Sequence, residues 1–247
     1  MHPFSKTGGL ADMVAALGKS LAADGHEVAL MTPLYHGIRA RFKEGLKQLD
    51  YDVNVPMNGT WEQGGILELK LKDNLRVYFV DHPGFYDRPA LYGENNTEYP
   101  DNPARYIFFS KAVVHFSRYY QWKPDVVHVH DWQAGLVPVM LKHAALRDGW
   151  DAPRSVLTIH NLAYQGHYSR ARAFPLSNLP EDFFNPFGIE FHGGVNFLKA
   201  GIVYSDAITT VSPRYAREMH GGIRLQSGSR PARAAAQAHR HPQRRRL

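Results

Sequence analysis

The sequence predicts an α/β fold with a mostly parallel sheet. Short, continuously apolar segments alternate with helical patterns along much of the 247-residue chain, which is typical of parallel strands covered by helices on both faces. Polar motifs directly follow several of these apolar segments, and the ligands of such sheets collect at the carboxyl ends of the strands. With 44% hydrophobic and 12% aromatic residues, the chain can bury a substantial core.

The most informative local feature is the segment Ser5–Asp12, in which a cation and two adjacent glycines precede a helix. Gly8 and Gly9 permit backbone conformations, and a close approach, that a Cβ would prevent. The start of the helix adds unpaired N–H groups, and Lys6 adds a mobile positive charge. Together they suit a phosphate or a sugar oxygen, although plain chain reversal is the commoner meaning of such a turn.

The predicted elements follow this turn in order. Residues 10–24 form an amphipathic helix, since apolar residues recur there at helical spacing, namely Leu10, Met13, Val14, Leu17 and Leu21. A strand follows at 26–32, and two or three strands lie between 51 and 80, with Asn58-Gly59 as a turn signal. A helix spans 103–122, with Asn102 as its N-cap. Strands are then predicted at 125–129, 155–159 and 207–211, and helices at 133–145, near 195–204 and from 213.

Candidate functional residues follow two of the predicted strands. Asp131 and Trp132 come after the strand at 125–129, and His160 and Asn161 come after the strand at 155–159. A carboxylate accepts hydrogen bonds from sugar hydroxyls, an indole face stacks on a pyranose, and a histidine can donate to a hydroxyl or to charge at a reacting centre. A half-buried structural histidine is the alternative for His160. Tyr92 is a weaker sugar-facing candidate, because its loop also reads as an ordinary surface turn.

Several classes of protein and site are disfavoured by the sequence. The chain has no cysteine, which suits a reducing cytoplasm, and neither a targeting segment nor a stretch of membrane-spanning length is evident. His128, His130 and Asp131 do not predict a metal site, because on a strand the two histidines point to one face and Asp131 to the other. No GxGxxG fingerprint of a nicotinamide-dependent enzyme is found. We therefore expect a cytoplasmic protein with no membrane partner, metal or cofactor.

The positive charge belongs to the C-terminal tail. The net charge is +6, and no acidic residue lies beyond residue 219, whereas seven arginines do: Arg224, Arg230, Arg233, Arg240, Arg244, Arg245 and Arg246. Without them the chain has 22 basic and 23 acidic residues and a net charge of −1. The globular part thus has no basic footprint for a nucleic acid, and none is expected as a partner. The tail also has no helical or strand periodicity, as is typical of disordered segments.

Four motifs in order and spacing resemble those of the bacterial glycogen synthases and plant starch synthases. They are Ser5–Asp12, His128–Gly135 (HVHDWQAG), Thr158–Gly166 (TIHNLAYQG), and Gly188–Phe191 running on through Asn196–Gly201. The resemblance covers about residues 2 to 219 and is highly specific, because four long segments agree. It therefore outweighs the structural alternative for His160.

The resemblance implies a GT-B fold, in which two Rossmann-like domains enclose the active site. The implied reaction transfers glucose from ADP-glucose (or UDP-glucose) to the non-reducing end of an α-1,4-glucan, with retention and without a metal or cofactor. His160 is the implied catalytic residue. The implied donor-binding residues are Lys6, Gly8, Gly9 and Asn161, and the implied sugar- or acceptor-binding residues are Asp12, Tyr92, Asp131 and Trp132. For Asp12, a favourable charge at the helix N-terminus is an equally good explanation.

Matching the family's motifs also predicts what the chain lacks. Only Met1–Phe4 precede the Gly-rich turn, whereas the family has a strand there, so we expect the sheet to lack its first strand. Read with a one-base shift, codons for His239–Leu247 can encode Thr-Gly-Ile-Leu-Asn-Gly-Val-Asp, the phrase with which the family enters its second domain. We therefore expect a Rossmann-like domain of GT-B type at 1–219, a frameshift product at 220–247, and the whole second domain to be missing.

Two functional expectations follow for the chain as written. As an N-terminal half, it should be inactive by itself, because the family's remaining catalytic groups belong to the other domain. The alternative is a glucan-binding fragment without catalysis, which grips its ligand through Asp131, Trp132 and their neighbours.

Overall fold

The computed structural model of the protein describes residues 1–5 and 8–218. Lys6 and the predicted tail at 220–247 lie outside this part of the chain. In chain order, the elements are α1 (Gly9–Ala23), β1 (Val28–Pro33), α2 (Ile38–Arg41), β2 (Leu46–Met57), β3 (Thr60–Lys72), β4 (Leu75–Asp81), α3 (Pro83–Tyr86), β5 (Gly93–Glu94), β6 (Thr97–Glu98), α4 (Asn102–Tyr119), β7 (Val126–His130), α5 (Val137–Asp148), β8 (Arg154–Ile159), β9 (His167–Ser169), α6 (Arg170–Ser177), β10 (Glu190–Phe191), β11 (Gly194–Asn196), α7 (Phe197–Tyr204) and β12 (Ala207–Thr210). None of these helices is long and apolar enough to cross a membrane.

Two sheets organise the core. The first has the strand order β1-β4-β3-β2, with β1 parallel to β4 and the other neighbours antiparallel. The second has the order β12-β8-β7 and is parallel throughout. The predicted α/β class with a parallel sheet is thus confirmed. The antiparallel strands come from the segment between 46 and 81, because two tight turns connect them directly, one of them the predicted Asn58-Gly59 turn with φ of 50° and 81°.

Helix α4 begins at a different residue from the one predicted. Its N-cap is Asp101, and Asn102 lies within the helix, so the prediction of Asn102 as the cap is wrong. The Asn102 side chain instead donates to the Tyr92 carbonyl oxygen (2.9 Å) and accepts from Arg105 (2.7 Å). Arg105 is fully buried and also donates to the Phe85 carbonyl oxygen (2.7 Å). These bonds fix the loop that carries Tyr92 against α4.

Close backbone packing joins the end of β7 to α7. A Cβ added at Gly135 would lie 2.2 Å from the carbonyl oxygen of Phe197, a distance that real Cβ atoms do not reach. Gly135 belongs to the turn that follows β7, and Phe197 is the first residue of α7. The glycine is therefore required by the approach of two backbone segments, which cannot yield as a flexible side chain would.

We expect Gly135→Ala to lower the free energy of unfolding by about 1–3 kcal/mol, as overpacking does in other cores. Gly9→Ala is the matched control, because a Cβ at Gly9 meets nothing within 4 Å and alanine is favoured over glycine in a helix. Urea denaturation followed by circular dichroism measures both variants. Equal stability of the Gly135→Ala variant and the wild type would contradict the packing described.

Candidate functional site

A cavity of about 1570 Å³ opens at the carboxyl ends of β1 and β7. Its wall contains most of the residues predicted for the site: Gly8, Gly9, Tyr92, Asp131, Trp132, His160 and Asn161. Asp12 is not part of this wall, and Lys6 lies outside the described residues. Three separate motifs of the sequence thus meet around one space, and two of them follow the parallel strands β7 and β8, as ligand sites of such sheets do.

The register of β7 and β8 brings Asp131 and His160 together. His130 is the register partner of Thr158, so β7 and β8 end at the same edge of the sheet. Asp131 turns with a φ of 54°, and its Oδ1 accepts hydrogen bonds from the backbone N–H groups of His160 (2.7 Å) and Asn161 (3.4 Å). Burial raises the pKa of the Asp131 carboxyl, and these hydrogen bonds oppose the rise. The carboxylate therefore locks the two strand ends to each other.

Three histidines lie side by side beneath this turn. The rings of His128 and His130 stack with centroids 4.4 Å apart, as their shared strand face predicts. His130 Nδ1 lies 3.3 Å from His160 Nε2. Burial lowers the pKa of all three, that of His130 to about 3. At neutral pH they are therefore uncharged imidazoles, which can donate and accept hydrogen bonds but supply no positive charge. Among the described residues, no group of three histidine, cysteine or acidic side chains could hold a metal ion.

Trp132 forms part of the wall of the cavity. Its side chain is only 5% exposed, and the ring of Tyr106 meets it edge-on at 4.8 Å. A Cβ at Gly166 would lie 2.5 Å from the indole, and Gly166 also has a φ of 59°. Little of the indole face is thus open to a ligand, and stacking of a sugar on Trp132 stays a prediction.

Tyr164 is a candidate that the sequence reasoning missed. It lines the same cavity and is 66% exposed, so its ring offers the accessible face that Trp132 does not. Tyr164 lies within the motif that supplies His160 and Asn161, which is the signal that could have identified it. The loop is held in place on the amino-terminal side of this residue: Asn161 Oδ1 accepts from the Ala163 N–H (2.9 Å), and the Leu162 N–H donates to the Tyr215 hydroxyl (2.9 Å).

The start of α1 borders the cavity with its two glycines. Gly8 is the N-cap, with an extended backbone (φ of 177°) that any residue can adopt, and a Cβ on Gly8 or Gly9 would meet nothing within 4 Å. Neither backbone conformation nor packing therefore requires glycine here, contrary to the conformational reason given above. Close approach of a ligand to the backbone is the reason that remains. Asp12 is exposed in the first turn of the helix, and its negative charge favours the protonated Met1 amino group. Burial has the larger effect and lowers the pKa of that amino group to about 6.

The largely desolvated imidazole of His130 makes the free energy of unfolding depend on pH in a defined direction. Its pKa is about 3 in the folded protein and about 6.5 when unfolded, so the unfolded state binds more protons between these values. Stability should therefore fall as the pH is lowered from about 6.5 towards 3. We expect His130→Gln to flatten part of this dependence in thermal melts, whereas His26→Gln, at an exposed position, should not. If the Tm of the wild type and of His130→Gln changed equally with pH across this range, the neutral state of His130 in the folded protein would be contradicted.

Comparisons with known proteins identify the family to which the chain is similar. The family model described as starch synthase catalytic domain matches residues 1–226. The glycogen synthase of Opitutus terrae is 41% identical over 220 residues, which are 89% of this chain and 46% of that protein. The glycogen synthase of Koribacter versatilis is 43% identical over 218 residues, which are 88% of this chain and 44% of that protein. The chain thus spans less than half the length of these relatives.

A solved structure extends the similarity to the fold. The catalytic domain of starch synthase IV from Arabidopsis thaliana, bound to ADP and acarbose, matches with a TM-score of 0.78 and 32% identity. The match covers 92% of this chain and 47% of that one. The expected GT-B type of Rossmann-like fold is thereby confirmed. By family match, sequence identity and fold, this chain belongs to the starch synthase catalytic-domain family, together with the glycogen synthases.

Proposed function

We propose that this chain provides one half of the active site of a retaining glucosyltransferase, which transfers glucose from ADP-glucose to the non-reducing end of an α-1,4-glucan. The observation that carries the proposal is the single cavity that joins the start of α1 to Asp131, His160 and Asn161. The related glycogen synthases support the reaction class. The starch synthase bound to ADP and acarbose supports ADP-glucose over UDP-glucose as the donor, and a glucan as the acceptor.

In this proposal the Gly-rich turn serves the departing diphosphate. The first N–H groups of the 15-residue helix α1 have no partner within the helix, and they carry the positive end of its dipole. With Gly8 and Gly9 lacking side chains, phosphate oxygens can approach these groups directly. Lys6 adds a positive charge that complements the negative charge developing on the diphosphate.

The histidine at the end of β8 serves the transferred glucose. His160 is half-buried and uncharged, so its imidazole can exchange a hydrogen bond with a sugar hydroxyl without repelling positive charge that develops on the sugar ring. Asp131 holds the His160 backbone at 2.7 Å and thereby orients the ring. Asn161, whose N–H bonds to the same carboxylate oxygen, would contact the donor beside it.

The glucan acceptor would occupy the wider part of the cavity. Tyr92 and Tyr164 present aromatic surface there, and Trp132 supports Tyr92 from behind, with ring centroids 6.3 Å apart. Asp131 would accept hydrogen bonds from sugar hydroxyls. Asp12 lies outside the wall, so its contact with the acceptor would require a glucan long enough to extend past the start of α1.

Tested by itself, the 247-residue polypeptide should bind maltoheptaose but show no sustained transfer of radiolabelled glucose from ADP-glucose to glycogen. The reason is that transfer needs groups on both sides of the donor, and this chain matches less than half the length of its relatives. Calorimetry with maltoheptaose and a filter assay of labelled glycogen measure the two properties. Sustained glucose transfer would refute the proposal that this chain holds only half of the active site. Absence of maltoheptaose binding would refute the proposal that it binds the glucan acceptor.

The exposed ring of Tyr164 allows a sharper test of glucan binding. Tyr164→Ala should weaken maltoheptaose binding about 2- to 12-fold, which corresponds to the 0.5–1.5 kcal/mol of an aromatic contact. Phe187→Ala is the matched control, because Phe187 is similarly exposed (65% against 66%) but lies away from the cavity. Both variants should melt like the wild type. Equal weakening in both variants, or in neither, would remove Tyr164 from the acceptor site.

A further inference from the structure

The imidazole ring of His160 is held from one side by His130. Nδ1 of His130 lies 3.3 Å from Nε2 of His160, and the two ring centroids are 5.4 Å apart with planes inclined by 56°. Asp131 fixes only the main chain of His160, by accepting from its N–H (2.7 Å). The contact with His130 acts on the ring itself and therefore limits how the ring can turn.

His130 is in turn restrained by its own strand and by the two strands beside it. It ends β7 in register with Thr158 of β8, and its ring stacks on that of His128 with centroids 4.4 Å apart. His128 Nε2 lies 2.6 Å from Thr158 Oγ1, which lies 2.6 Å from Thr209 Oγ1 of β12. Side chains that orient a functional group need this kind of support, because a loose support leaves the group loose as well.

The contact with His130 leaves one ring nitrogen of His160 for a ligand. Nε2 is occupied by His130. Nδ1 has no hydrogen-bond partner among residues 1–5 and 8–218, and it is not one of the buried unpartnered atoms in that part of the chain. Since His160 lines the cavity, Nδ1 is the nitrogen that a bound molecule can reach.

The shared hydrogen bond couples the tautomers of the two rings. Burial lowers the pKa of both histidines, so at neutral pH each ring carries a single N–H. If Nε2 of His160 is the donor, both rings are Nε2–H tautomers, whereas if Nδ1 of His130 is the donor, both are Nδ1–H tautomers. The Nε2–H form is the more stable tautomer of a free histidine. Only the first arrangement therefore leaves both rings in their preferred form.

We propose that His130 is a positioning residue, which holds His160 as the Nε2–H tautomer and turns its unprotonated Nδ1 towards the cavity. His160 then accepts a hydrogen bond from a ligand and does not donate one. In a clause that rests on the proposed function, the donor is one hydroxyl of the transferred glucose, whose oxygen becomes more electron-rich near the positive charge that develops on the sugar. A sugar without that hydroxyl would leave the nitrogen unpaired, which provides specificity.

Nitrogen NMR of the free protein at neutral pH tests the tautomer without any ligand. The 247-residue chain is labelled with ¹⁵N-histidine, and the ring nitrogens of His160 are assigned from the signals that His160→Gln removes. We expect Nε2 at the position of a protonated ring nitrogen and Nδ1 far downfield, at the position of an unprotonated one. The reverse pattern, or equal averaged positions of the two nitrogens, would overturn the proposal.

Variants in the histidine stack show which residue sets the tautomer. His130→Leu should shift the two ring nitrogens of His160 towards each other, because its tautomers can then exchange. His130→Asn should keep the wild-type pattern, since its side-chain oxygen can accept in place of Nδ1. His128→Phe is the matched control, because it retains a ring against His130 and removes no hydrogen-bond partner of His160.

An unchanged pattern in His130→Leu, or an equal shift in His128→Phe, would overturn the role of His130. Where His130→Leu does not fold, the spectra of the wild type and of His130→Asn still decide, because loss of the Nε2–H pattern in either of them contradicts the proposal.

Addition of ADP-glucose separates this inference from the proposed function. Nδ1 of His160 should move upfield when ADP-glucose binds, because it accepts a hydrogen bond from the sugar, and ADP alone should leave it in place. A wild-type Nε2–H pattern without a response to ADP-glucose would support the role of His130 and contradict the proposed function. A response of Nε2 in place of Nδ1 would overturn the positioning by His130.

Discussion

The parallel pairing of β7 with β8 is the constraint on which the candidate site depends. Parallel strands carry their chain ends to one edge of the sheet, so Asp131 and His160, separated by 29 positions, leave the sheet as neighbours. The Asp131 carboxylate then closes the gap by accepting two backbone N–H bonds. Its positive φ shows that the turn is held against the ordinary preference of a non-glycine residue. Asp131 thus follows β7 directly and also fixes the start of the loop after β8.

Burial determines the chemistry available at this edge. In water at mildly acidic pH, about half of the molecules of a free histidine are protonated. Desolvation lowers the pKa of these three histidines and so favours their neutral form. The site therefore combines uncharged imidazoles with the positive helix end at Gly8 and Gly9. In the proposed reaction, the helix end would face the negative charge that develops on the diphosphate, and the uncharged imidazoles would not repel positive charge on the sugar.

Much of this arrangement could be predicted from the sequence, and the exceptions have physical causes. Positions after apolar strands correctly placed Asp131, Trp132, His160 and Asn161 around one space. The burial of Trp132 could not be predicted, because it depends on Tyr106 and Gly166 from distant parts of the chain. For the same reason the exposure of the Tyr164 ring could not be predicted. Asn102 was predicted as a cap from its residue type, but its side chain serves the Tyr92 loop and Arg105 instead.

The sequence by itself determined the α/β class, the order of the elements, the family and most members of the candidate site, since local periodicity and motif spacing carry that information. Only the tertiary structure decided which aromatic ring faces the cavity, how the histidines contact one another, and which strands pair. The division of these strands into two sheets also belongs to the tertiary structure. Pairing and burial are properties of segments distant in sequence, so no local pattern can specify them.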